Sequence, residues 1–174
     1  MNQKKSKLTG KCSIEAWQIK KEEEPPAFEK TYSFGISGTP IAKARPRGFR
    51  NKANQIRMYT PKRSKDFENA VRQRAEKVFK KPLQGPLRLE VTFFLPRPNY
   101  LIWKTKPMPA IFHSKKPDAS NFLKSIEDAL NGVAYHDDGQ IAQLEISKYY
   151  QAGGQGPWTQ IEIREIGAAH SSPQ

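Results

Sequence analysis

Cysteine is almost missing from this chain: Cys12 stands alone among 174 residues. That excludes an internal disulfide and any cysteine-only metal cluster. Long apolar runs are missing too, and no segment approaches the length of a membrane span. The start, Met1-Asn2-Gln3-Lys4-Lys5-Ser6-Lys7, is polar and leads into no apolar stretch, so no signal peptide is expected. Apolar residues make up 36%, below the globular average, which suffices for one core with some chain outside it. Acid is scarce: 17 Asp and Glu face 30 Lys and Arg, a formal net charge of +13. With a pI near 9.9, such a chain favours polyanionic partners, chiefly nucleic acid. A cytoplasmic, nucleoid-associated protein with no membrane partner is the expectation.

Three regions are expected. Residues 1–29 are rich in lysine and glutamate, end in Glu22-Glu23-Glu24-Pro25-Pro26, and read as a flexible charged extension. Residues 30–166 carry the periodic signals of one domain, and residues 167–174 read as a flexible tail. Tyr32, Phe34 and Ile36 alternate as a strand does. Thr60-Pro61 reads as an N-cap and first helical residue, followed by Phe67, Ala70, Val71, Ala75, Val78 and Phe79 at helical spacing. Lys81-Pro82 and Gly85-Pro86 stop that helix. Leu87, Leu89, Val91, Phe93 and Leu95 form the clearest strand. After a Pro-rich connection from Pro96 to Pro117, Phe122, Leu123, Ile126, Ala129 and Leu130 mark one face of a second helix, with Gly132 placed to end it. Leu144 and Ile146 suggest one more strand, and Ile161, Ile163 and Ile166 another. The pattern implies an α/β (α+β) fold, a single small domain with two main helices packed on a mixed β-sheet.

Against the scarcity of acid, two local patterns stand out. From Lys43 to Arg63 there are eight basic residues and no acid: Lys43, Arg45, Arg47, Arg50, Lys52, Arg57, Lys62 and Arg63, with Phe49 and Tyr59 among them. Lysine and arginine neutralise phosphates, and aromatics stack on exposed bases. A solvated charged loop is the plain alternative. Lys43, Arg45, Arg47, Arg50, Lys62 and Arg63 are the candidate nucleic-acid contacts; they would position a backbone without reading its sequence.

The second pattern gathers the rare acids. Asp118 precedes the second helix, which Ser120 or Asn121 is expected to cap. Asn121, Lys124, Asp128 and Asn131 follow at spacings of 3, 4 and 3 and share the face opposite the apolar stripe. Asp137 and Asp138 occupy the turn before the next strand. Clustered carboxylates repel a phosphate backbone unless a cation lies between them. Mg²⁺ takes one or two carboxylates plus waters and phosphate oxygens, so the set suits metal-assisted phosphodiester hydrolysis. A nearby lysine would stabilise developing charge. Each piece has a plainer reading: Asp118 as a turn residue, Lys124 and Asp128 as an exposed ion pair worth roughly a few tenths of a kcal/mol, Asp137-Asp138-Gly139 as a loop. His113 and His136 read as loop histidines, and Trp103 and Trp158 as packing or interface residues.

Asp118-Ala119-Ser120-Asn121-Phe122-Leu123-Lys124, then Asp128-Ala129-Leu130-Asn131-Gly132, then Asp137-Asp138-Gly139-Gln140-Ile141, resembles the signature of the RusA-type Holliday-junction resolvases. Gly38-Thr39-Pro40-Ile41-Ala42-Lys43-Ala44-Arg45-Pro46-Arg47 and Tyr59-Thr60-Pro61-Lys62 resemble the N-terminal part of many members. The resemblance runs from about Tyr32 to Ile166. It implies a homodimeric, Mg²⁺-dependent endonuclease that cuts four-way DNA junctions by paired nicks. Asp118 and Asp138 would be metal ligands and Lys124 the catalytic lysine. A two-fold dimer suits two symmetric cuts. One departure stands out: where the family usually carries a third acid, this chain has Ser120. Either Asp137 or Asp128 supplies the missing charge, or metal binding is weaker, or the protein binds junctions and cuts them poorly. The alternatives are thus a non-catalytic branched-DNA-binding protein and a nuclease for other branched DNA or RNA.

Overall fold

The computed structural model describes residues 30–44, 47–50 and 54–166. The N-terminal extension, the C-terminal tail and Arg45 lie outside the described residues. In chain order the elements are β1 (Thr31–Ser37), β2 (Arg47–Arg50), β3 (Ile56–Tyr59), α1 (Lys62–Val78), β4 (Leu87–Leu95), β5 (Ile111–Phe112), α2 (Ala119–Leu130), β6 (Ile141–Tyr150) and β7 (Trp158–Glu165). Five strands form one sheet in the order β1-β7-β4-β6-β5. Only β4 and β6 are parallel; the other neighbours are antiparallel. This is the expected mixed sheet with two helices.

The alternation in β4 explains why the layers close. Leu87, Leu89, Val91, Phe93 and Leu95 are all buried, and the residues between them are half-buried. With Phe34, Ile36, Ile161 and Ile163 they join one core with Phe67, Val71 and Ala75 of α1 and Phe122, Ile126 and Leu130 of α2. Each such side chain contributes about 1.5–3 kcal/mol by leaving water. The other sheet face carries an aromatic stripe. Phe112 stacks on Tyr149 at 4.7 Å, Tyr149 on Phe94 at 5.7 Å, and Phe94 on Trp158 at 4.7 Å. Trp158 is thus a packing residue, as expected.

Several details differ from the sequence expectations. Pro61 is the N-cap of α1, with ψ at 140°, and Lys62 is the first helical residue. The helix ends at Val78, before Lys81-Pro82, because Phe79 turns extended and buries its ring against Tyr32 at 4.8 Å. The basic segment is no open loop: β2 and β3 pair as a separate antiparallel ribbon. Its strands are too charged to display apolar alternation. The Pro-rich connection is ordered by one buried guanidinium. Arg97 donates from Nε to Gln151 O at 2.6 Å, from Nη1 to Leu101 O at 3.4 Å, and from Nη2 to Pro109 O. Carbonyl acceptors satisfy donors that burial would otherwise make costly. Among the described residues no helix is long and apolar enough to cross a membrane.

Candidate active site

Helix α2 is amphipathic, and that fixes what it presents. Phe122, Leu123, Ile126, Ala129 and Leu130 are buried, while Ser120, Asn121, Lys124 and Asp128 are exposed. Its N-cap is Asp118, so Ser120 and Asn121 lie inside the first turn rather than capping it. The Asp118 backbone carbonyl accepts the N–H groups of Asn121 at 3.1 Å and Phe122 at 3.4 Å. Its side chain makes no capping hydrogen bond. An N-cap aspartate ordinarily spends its carboxylate on the helix; here the carboxylate remains available beside the positive end of the helix dipole.

Lys124 is the hub of the exposed face. Its Nζ lies 3.4 Å from Asp138 Oδ2, 3.6 Å from Glu127 Oε2 and 3.7 Å from Asp128 Oδ1. Partial burial pulls its pKa down, but Asp128, Asp138 and Glu127 outweigh that and hold it above the ordinary lysine value. Asp128 Oδ2 is in turn 2.6 Å from Lys43 Nζ, which is 2.7 Å from Glu68 Oε1. Charges therefore alternate from Glu68 through Lys43, Asp128 and Lys124 to Asp138. Lys43, expected among the phosphate contacts, spends its ammonium on two acids. Its backbone N–H also donates to Asn121 O at 2.7 Å, tying the basic segment to α2.

The Asp137–Asp138 turn reaches Lys124 because the chain behind it is tightly folded. Gly132, at φ +75°, reverses the chain after α2, and its N–H donates to Tyr135 O at 2.8 Å. Tyr135 is fully buried and donates its hydroxyl proton to Glu127 O at 3.3 Å. Asp138–Gln140 form a short 3₁₀ turn closed by a reciprocal capping box between Asp137 and Gln140. Gln140 Oε1 accepts the N–H groups of His136 at 2.8 Å and Asp137 at 3.2 Å. Its Nε2 donates to Leu83 O at 3.2 Å and Gly85 O at 3.1 Å. A Cβ on residue 139 would lie 3.0 Å from Asp137 Oδ2, so glycine there leaves room for that carboxylate. Asp137 thus belongs to the cap, and Asp138 is the acid turned to Lys124. Gln140, read from the sequence only as part of the signature, has a capping role that an acid followed three residues later by glutamine could have signalled.

The remaining candidates are more dispersed. Among the described residues the Asp118 carboxylate forms no ion pair with the Lys124 cluster; six positions separate it from Lys124, about 9 Å of helical rise. Lys62 and Arg63 are exposed at the start of α1 and form no ion pair with a described residue. Arg50, also exposed, donates to Asn54 Oδ1 at 3.0 Å. Arg47 belongs to β2, opposite Tyr59. His136 is exposed, and His113 packs its ring on Tyr150 at 4.6 Å.

No three His, Cys, Asp or Glu side chains converge as a metal site among the described residues. The donors that remain, Asp118 and Asp138, offer carboxylate oxygen alone. That chemistry fits a hard divalent cation, which completes its shell from water and phosphate oxygens.

The family model for the endodeoxyribonuclease RusA matches residues 37–164. The uncharacterized protein YqaN of Bacillus subtilis (strain 168) is 33% identical over 146 residues, covering 78% of this chain and 96% of that protein.

Proposed function

Since this chain belongs to the RusA endodeoxyribonuclease family, we propose that it is a Mg²⁺-dependent nuclease that resolves four-way DNA junctions by paired symmetric nicks, acting as a homodimer. The observation that carries this reading is the 3.4 Å approach of Lys124 to Asp138, with the uncapped Asp118 on the same helix. Asp118 and Asp138 would hold the metal. When held there, Mg²⁺ would supply Lewis-acid polarisation of the scissile phosphate and help activate the attacking water. Lys124 supplies a positive charge to the phosphate oxygens as negative charge develops on them. Asp128 and Lys43 hold that ammonium in place, and the Asp137–Gln140 cap holds Asp138. Arg50, Lys62 and Arg63, with Arg45 and Arg47, grip the phosphates of the arms.

A second reading is favoured by one observation: Ser120 is an exposed serine on the first turn of α2, where the family pattern places an acid. That reading is a branched-DNA-binding protein that does not cut. One experiment separates the two. The purified protein is incubated with a labelled synthetic four-way junction and a matched linear duplex, with Mg²⁺ or with EDTA. Symmetric Mg²⁺-dependent nicks in the junction alone support the resolvase. Tight junction binding without nicks supports the binding protein; a flap and an RNA hairpin digested in parallel, if cut in place of the junction, would move the substrate.

A further inference from the structure

Lys148 lies in β6 opposite Phe93 of the parallel strand β4. It therefore points to the helix-covered face, where Phe93 packs on Phe122 of α2 with ring centroids 5.1 Å apart. Its Nζ donates to Pro117 O at 2.7 Å and to Lys115 O at 3.0 Å. Its own backbone carbonyl accepts the His113 N–H at 2.9 Å. One residue thus pins residues 113, 115 and 117, which lead directly into Asp118. No acid among the described residues pairs with this ammonium. Two of its three donors go to backbone carbonyls, an unusual use of a lysine that snorkelling to solvent would otherwise satisfy.

From this we infer that Lys148 is a positioning residue for Asp118: it fixes the backbone entering α2 and so sets where the Asp118 carboxylate stands. The inference rests on the reading of Asp118 as a metal-binding acid. Because that carboxylate is not held by a capping bond, its place depends on the backbone before it. The link from Lys148 to the metal runs through that backbone alone, as outer partners of metal ligands commonly act.

The test compares wild type, Lys148→Met, Lys148→Arg and Asp118→Asn. Amide hydrogen exchange is followed across residues 113–122 in metal-free protein, and Mn²⁺ binding is measured by electron paramagnetic resonance. In Lys148→Met, exchange across 115–119 should rise at least about tenfold and Mn²⁺ affinity fall about 10–100-fold. Lys148→Arg should recover part of both, and junction affinity should stay at the wild-type value. Wild-type exchange and Mn²⁺ affinity in Lys148→Met would overturn the inference. Wild-type Mn²⁺ affinity in Asp118→Asn would overturn the role of Asp118 instead, leaving exchange to judge the staple. Should Lys148→Met fail to fold, Lys148→Leu, which likewise removes the donors, makes the same comparison with the same two outcomes.

Discussion

Lys43 and Asp128 meet at 2.6 Å, joining the segment before the basic ribbon to the helix that carries Lys124. The contact gives Lys43 acidic partners in Asp128 and Glu68 within a charged run. Lys43→Ala should cost about 1–2 kcal/mol of stability, since its charged bonds are partly screened. It should leave the salt dependence of DNA binding unchanged. Arg63→Ala, by contrast, should leave stability unchanged and lower the slope of log K against log salt by about one. Equal salt slopes for Lys43→Ala and Arg63→Ala would put Lys43 on the DNA after all.

Asp118→Asn should reduce cleavage by about a hundredfold or more, because outer partners of metal ligands are already worth about 10–100-fold and a direct ligand more. Junction binding should persist. Gel-shift and nicking assays on one preparation suffice, and retained cutting would remove Asp118 from the site.

Gln140→Ala should destabilise the domain by about 1–3 kcal/mol, as backbone N–H and C=O groups lose partners. Nicking should fall more steeply than binding, since Asp138 rides on that turn. Denaturant midpoints and single-turnover rates read the two effects separately. Unchanged single-turnover rates would show that the turn holds itself.

His113 gives a pH dependence. Burial first, then the Lys148 charge, holds its pKa below the usual 6.5. Folding favours the neutral ring, so the contribution is complete above that value. It is lost as pH falls through the interval down to the folded-state value. Wild type should therefore lose more stability between about pH 7.5 and about pH 5 than His113→Gln does. Parallel urea titrations decide this, and identical losses would exclude the histidine.

Much of the layout was legible before any coordinates. The alternation of β4 and the stripe of α2 are direct images of burial, so both elements fall where their patterns put them. The exposed row Asn121, Lys124, Asp128 follows from the same helix. What escaped was decided by partners distant in sequence. The role of Lys43 depends on Glu68 and Asp128, that of Gln140 on Leu83 and Gly85, and that of Lys148 on Pro117. β5 escaped because a two-residue strand has no period to detect. The β2–β3 ribbon escaped because its charge hides its pleat.

The parallel pairing of β4 with β6 carries one more consequence. Asp118 and Asp138 both lie on the crossover between those strands, and the staple that fixes the first of them is near the end of β6. A nascent chain halted before β6 already contains Asp118, Lys124 and Asp138, yet lacks the strand that pairs with β4 beside them. Non-local pairing of this kind forms late, after loop-closure entropy has been met. If Asp118 and Asp138 form the site, cutting would wait until β6 has been made and paired with β4.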